Sequence, residues 1–129
     1  MAAYAFGKTV PYSFDDAVTR ITAALAEQGF GILTEIDVKA TMKKKLDLDI
    51  APYKILGACN PGFANQAIAA EPSIGALLPC NVVVRTDPAG KTIVEFMDPL
   101  SVMKLVGRPE VETLATEVRK RLDAALTRL

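Results

Sequence analysis

The chain has 129 residues, its 15 lysines and arginines balance its 15 aspartates and glutamates, and half of its residues are hydrophobic. This length predicts one domain, residues 1–129, that can bury a hydrophobic core without stabilisation by disulfides or bound metal. The zero net charge argues against nucleic-acid binding and against attraction to a charged membrane surface. Because histidine is absent, serine–histidine and cysteine–histidine catalytic pairs and imidazole metal sites are excluded.

The first elements are a strand and an amphipathic helix. Residues 3–10 carry aromatic and β-branched side chains and are predicted to form a strand. Ser13 has the side chain of a helix N-cap, and Gly29 is placed to end that helix. Between them, apolar side chains recur every three or four positions, at Phe14, Val18, Ile21 and Leu25.

The middle of the chain alternates between strands and short helices. Residues 30–38 are predicted to form a strand with one apolar face, carried by Phe30, Ile32, Thr34, Ile36 and Val38. Residues 39–48 indicate a short polar helix and residues 52–59 another strand. An Asn-Pro-Gly sequence ends that strand, and the alanine-rich residues 63–70 indicate a further short helix.

The last third of the chain predicts a hairpin and a long helix. Residues 80–87 and 91–97 are β-rich and are joined by a Pro-Ala-Gly turn. Asp98 opens a short helical stretch that Gly107 ends, and Pro109 lies in the first turn of a long helix. The apolar stripe of that helix consists of Val111, Leu114, Val118, Leu122, Ala125 and Leu129.

These elements predict an α+β fold, a two-layer sandwich in which two long helices cover one face of a five-stranded sheet. The strands hold more apolar residues than one covered face requires, since residues 82–84 and 93–96 place apolar side chains on both faces. An open apolar face of that size is unusual for a monomer. We therefore expect a homodimer in which a second copy covers it.

The two cysteines are the main candidates for chemistry. Cys59 ends one predicted strand and Cys80 begins the next, each beside a proline and an asparagine. Free cysteines are commonly buried apolar fillers, and a reactive thiol requires a lowered pKa. If the two strands are antiparallel neighbours, the thiols share one end of the sheet and could form a disulfide or a soft-metal pair, with Met97 as a third sulfur. If the connection is a parallel crossover, the thiols lie at opposite ends.

Two charged features have simpler interpretations. Asp98 is an N-cap or a buried acid–base group. Lys43, Lys44 and Lys45 form the only basic cluster, and the nearby Asp47 and Asp49 cancel much of its field. A solvated helix face accounts for these lysines better than a nucleic-acid patch.

Four segments resemble the DUF302 family: residues 14–30, 53–61, 77–84 and 96–99. The most specific motifs are Leu-Pro-Cys-Asn at the start of a strand and Met-Asp-Pro after the hairpin. The resemblance implies a TATA-binding-protein-like topology, β-α-β-β-β-β-α with short inserted helices, a mainly antiparallel sheet and a tendency to homodimerise. It implies no catalytic residues and, despite the fold, no DNA binding.

We therefore expect a small soluble, cytoplasmic, homodimeric ligand-binding domain, in preference to an enzyme, with no cofactor, metal, nucleic-acid or membrane partner and with an unidentified small molecule as its ligand. One alternative is a thiol-dependent redox or sulfur-handling enzyme with Cys80 as nucleophile and Cys59 as resolving thiol. A second alternative is a soft-metal binder. The candidate site lies at one end of the sheet and comprises Cys59, Asn60, Cys80, Asn81, Met97 and Asp98.

Overall fold

The computed structural model describes residues 2–129. Its five strands form one antiparallel sheet in the order β1-β5-β4-β3-β2. The strands are β1 (Ala5–Val10), β2 (Gly31–Asp37), β3 (Tyr53–Cys59), β4 (Cys80–Thr86) and β5 (Thr92–Met97). Strands β2 to β5 form a meander, and β1 pairs with β5 at the far edge. The chain therefore crosses the whole sheet between β1 and β2.

Five α-helices and two short 3-10 helices connect or follow these strands. The α-helices are α1 (Phe14–Glu27), α2 (Val38–Leu46), α3 (Pro61–Ala70), α4 (Pro99–Val102) and α5 (Pro109–Thr127). The 3-10 helices are Pro72–Leu77, after α3, and Met103–Leu105, after α4. No helix among residues 2–129 combines the length and the apolar character needed to cross a bilayer.

The ends of α1 agree with the sequence prediction. The Ser13 hydroxyl accepts a hydrogen bond from the backbone N–H of Asp16 at 3.2 Å, which satisfies a free donor of the first turn. Gly29 follows the helix with φ = +84°, a left-handed conformation that glycine adopts without steric cost. The helix is therefore held at both ends by the residues that the sequence indicated.

The main core lies between the sheet and the two long helices. Ile21 and Leu25 of α1 and Leu122 of α5 are completely buried. They pack against a patch of strand side chains that face the helices: Leu56, Val82, Val84, Val94 and Phe96. The expected two-layer sandwich with both long helices on one face is confirmed.

The prediction of one apolar face for residues 30–38 is wrong. The register of β2 shifts between Ile32, which pairs with Ala58, and Thr34, which pairs with Gly57. Because this bulge adds a residue, Ile32 faces the helices whereas Ile36 faces the other side of the sheet. The strand also ends early, since the Asp37 side chain caps α2 and Val38 is the first helical residue.

The other face of the sheet carries a row of side chains that crosses four strands. Ile36, Ile55, Val83 and Glu95 are register partners on successive strands. Ile36 is half exposed, and the other three are partly buried. The Arg85 guanidinium pairs with Glu95 at 2.8 Å in the middle of this face. We call this surface, which is only partly covered, the open face.

Candidate functional site

A cavity of about 360 Å³ lies at the end of the sheet where β3 finishes and β4 begins. The strands contribute Ala58, Cys59 and Cys80 to its wall. The connection between β3 and β4 forms a second wall, and the N-terminal half of α5 forms a third. Hydrocarbon side chains dominate the lining, including Phe30, Phe63, Ile68, Ile74, Leu78, Met103, Val111, Leu114 and Val118.

The cavity exists because small side chains face each other across it. Ala64 and Ala67 of α3 and Ala115 of α5 line the space between these helices, and Gly75 lines it from the 3-10 helix. Because alanine has a short side chain and glycine has none, these residues leave the space between the helix backbones unfilled. The buried residues of the smaller core cluster, Ala67, Ile74, Met103, Val111 and Ala115, all lie in the wall of the cavity.

Hydrogen bonds at both ends of α3 order the connection between β3 and β4. The Asn60 Oδ1 atom accepts a hydrogen bond from the Phe63 backbone N–H at 3.2 Å, which caps the helix. At the other end, the Glu71 carboxylate accepts a hydrogen bond from the Arg108 Nε at 3.2 Å, just before α5 begins. The bond between Glu71 and Arg108 joins the connection to the start of α5, and the cavity lies between the connection and that helix.

The two thiols both line the cavity but leave the sheet in different directions. Cys80 pairs in register with Ala58, the residue before Cys59. Because successive strand residues face opposite sides, Cys80 turns toward the helices and Cys59 toward the open face. Both cysteines are free and partly buried. The structure therefore brings the thiols to one end of the sheet, on neighbouring antiparallel strands, and does not join them in a disulfide.

The environment of Cys80 does not activate its thiol. Burial, with a smaller contribution from the nearby Cys59, raises the pKa of Cys80 to about 11. At neutral pH this thiol is therefore protonated, whereas a nucleophilic cysteine needs a lowered pKa. Among residues 2–129, no three Cys, Asp or Glu side chains are grouped so that they could hold a metal ion.

The structure brings Cys59, Asn60 and Cys80 to the cavity wall, and it places the other three candidates elsewhere. Asn81 is exposed on the open face, and Met97 packs against the core cluster that forms part of the wall without lining the cavity itself. The Asp98 carboxylate caps α4 by accepting from the Leu100 N–H at 2.9 Å. Its second oxygen pairs with the Arg119 Nη1 atom at 3.0 Å, so both oxygens have structural partners.

The sequence interpretation missed the helical part of the wall. The alanine-rich composition of residues 63–70 predicted a helix, and that composition is also what leaves the cavity unfilled. The 3-10 helix Pro72–Leu77 was not predicted at all. The sequence interpretation looked for an unfilled apolar surface in the strands, whereas most of the residues that line the cavity belong to helices and their connections.

Comparisons with known proteins identify the family. The family model described as "Domain of unknown function DUF302" matches residues 6–129. The chain belongs to the DUF302 family. A crystal structure of an uncharacterized conserved DUF302 protein from Bacillus stearothermophilus superposes on this DUF302 chain with a TM-score of 0.90 at 28% sequence identity, covering 98% of each chain. A search of curated proteins found no match.

Proposed function

We propose that this DUF302 protein binds an apolar small molecule in the cavity between the strand ends, α3 and α5. The observation that supports the proposal is the cavity of about 360 Å³ with an almost wholly hydrocarbon lining. Small-molecule sites typically have volumes of ~300–1,000 Å³ and apolar linings.

The test is a fluorescence titration with N-phenyl-1-naphthylamine, an apolar dye that brightens when it leaves water. We expect saturable binding to the wild-type protein. In the Ala67→Phe variant a benzyl-sized side chain occupies the cavity, and we expect binding to weaken by about tenfold or more. The matched control is Ala69→Phe, on the exposed side of the same helix, which leaves binding unchanged.

Circular dichroism of each variant shows whether it is folded. If Ala67→Phe does not fold, Ala115→Leu fills the same space from α5 and takes its place. Dye binding that does not saturate, or that is equally strong in the filled variants, contradicts the proposal.

We also propose that two copies associate through the open face. Its row of Ile36, Ile55 and Val83 exposes apolar surface from the edge strand β2 inward to β4, away from both long helices. Burial of such a patch stabilises association in proportion to the apolar area removed from water. The expected cytoplasmic location stays a prediction.

Light scattering at micromolar concentration measures the association directly. We expect twice the mass of one chain for the wild type and the mass of one chain for Val83→Lys. The control, Thr116→Lys, adds the same charge at an exposed position on α5 and keeps the mass of the wild type. A wild-type protein with the mass of one chain contradicts this proposal and leaves the cavity proposal standing.

A further inference from the structure

We propose that the second copy that docks on the open face also closes the cavity, so that ligand binding and dimerisation strengthen each other. This inference rests on the proposed function, whose two parts it joins, and it adds how occupancy of the site is regulated. Two features of the molecule carry it: the place where the cavity lining reaches solvent, and the area that a stable dimer needs.

The lining of the cavity reaches solvent at its mouth, which we define as Leu33, Thr34, Ile68 and Gly75. These four lining residues are exposed, Leu33 by 67% and Ile68 by 44%. Two of them belong to the edge strand β2, and the other two belong to α3 and the 3-10 helix that follows it. A bound ligand therefore keeps part of its surface in contact with water beside β2.

The mouth is continuous with the open face through Thr34. Thr34 pairs in register with Gly57, which in turn pairs with Asn81. These residues lie two positions along their strands from the apolar row of the open face, so they form the next row on the same face, about 7 Å away. A Cβ on Gly57 would clash with the Thr34 hydroxyl and come within 2.9 Å of the Pro79 ring. Thr34 and Pro79 therefore both lie against Gly57 on the open face, and both also line the cavity.

A stable dimer needs more surface than the apolar row provides. A specific interface buries about 800 Å² on each partner. The row crosses four strands and is one side chain deep, so its projected area is about 130 Å². A round footprint of about 800 Å² is about 32 Å across, and when it is centred on the apolar row it includes the row of Thr34. The second copy therefore reaches the mouth of the cavity.

Closure of the mouth favours the bound ligand. The part of an apolar ligand that faces the mouth leaves water only when the second copy covers it. Burial of about 55 Å² of this ligand surface corresponds to a gain in affinity of about tenfold. Linkage is reciprocal, so a ligand that binds about tenfold more tightly in each of the two cavities of the dimer strengthens dimerisation by about a hundredfold.

Dye titrations of a dimer and a monomer test the coupling. The Kd of N-phenyl-1-naphthylamine is measured for the wild type and for Val83→Lys, a substitution on the open face at a residue that does not line the cavity. We expect saturable binding to both proteins, about tenfold weaker to Val83→Lys, and the wild-type Kd for the control Thr116→Lys. Wild-type protein diluted below its dimer dissociation constant should bind the dye as weakly as Val83→Lys, and circular dichroism confirms that the variants are folded. Equal affinities of the dimer and the monomer overturn the inference and leave both parts of the proposed function standing.

The reverse measurement is light scattering over a dilution series, with and without saturating dye. We expect the dye to lower the dimer dissociation constant of the wild type by about a hundredfold and to have little effect on Ala67→Phe, whose cavity is filled, or on Ala115→Leu if that variant does not fold. A dye that lay on the open face would compete with the second copy and raise the dissociation constant, which overturns the inference. A wild type that keeps the mass of one chain even with dye overturns it together with the proposed dimer. Dye binding that does not saturate overturns it together with the proposed cavity site.

Discussion

The pH dependence of Cys80 alkylation tests the structure at the wall of the cavity. A thiol with a pKa of about 11 is ionised in about one molecule in ten thousand at pH 7. An ordinary cysteine, with a pKa of ~8.5, is ionised in about one molecule in thirty. Since the thiolate is the reactive form, the shift alone slows alkylation at pH 7 by about 300-fold relative to a free cysteine. The rate then rises about tenfold per pH unit up to pH 10.

The assay is alkylation of the Cys59→Ser variant with iodoacetamide between pH 7 and pH 11, followed by mass spectrometry. This variant leaves Cys80 as the only thiol, and it removes the smaller of the two causes of the shift while keeping the burial. Restricted access slows the reaction equally at every pH, so the midpoint of the profile reports the pKa independently of access. A midpoint at or below pH ~8.5 would refute the reasoning, and only a midpoint well below that ordinary value would return Cys80 to the role of a nucleophile.

Two further predictions concern stability, measured by urea denaturation. Gly7→Ala places a Cβ in steric clash with the Val94 carbonyl oxygen and should cost about 2–4 kcal/mol, whereas Gly31→Ala, in the other edge strand with open space around it, should change the free energy of unfolding by less than about 1 kcal/mol. Similar losses in the two glycine variants would contradict the close approach of β1 to β5. Asp98→Ala should cost about 1–2 kcal/mol by removing a helix cap, and Asp98→Asn, which keeps an acceptor for the Leu100 N–H, should cost less. If Asp98→Asn proves as costly as Asp98→Ala, the ion pair with Arg119 outweighs the cap.

The parts of the fold that depend on local signals follow from the sequence. Ser13 and Gly29 delimit α1 because capping and left-handed backbone conformations depend on one or two residues. Pro109 marks α5 for the same kind of reason. The periodicity of the apolar side chains then assigned both long helices to one face of the sheet.

Features that depend on pairing between distant segments could not be derived in this way. The bulge in β2 is set by its register against β3, so the alternation of residues 30–38 misassigned Ile36. The antiparallel arrangement of Cys59 and Cys80 was left open by the residues themselves, and only the family resemblance favoured it. Predicting the cavity would have required knowing that Ala67 and Ala115 face each other, and no pattern within either segment indicates this.

The construction of the cavity wall has a consequence for how the shape of the cavity can diversify. One wall is a single continuous stretch, α3 and the 3-10 helix that follows, inserted between two strands whose six paired positions hold the register by themselves. Substitutions or length changes in residues 61–77 can therefore reshape the space available to a ligand while the sheet and the two long helices keep their packing. On the proposed function, exchanging this stretch between relatives is accordingly expected to change the shape of the cavity, and with it the ligand bound, without changing the scaffold.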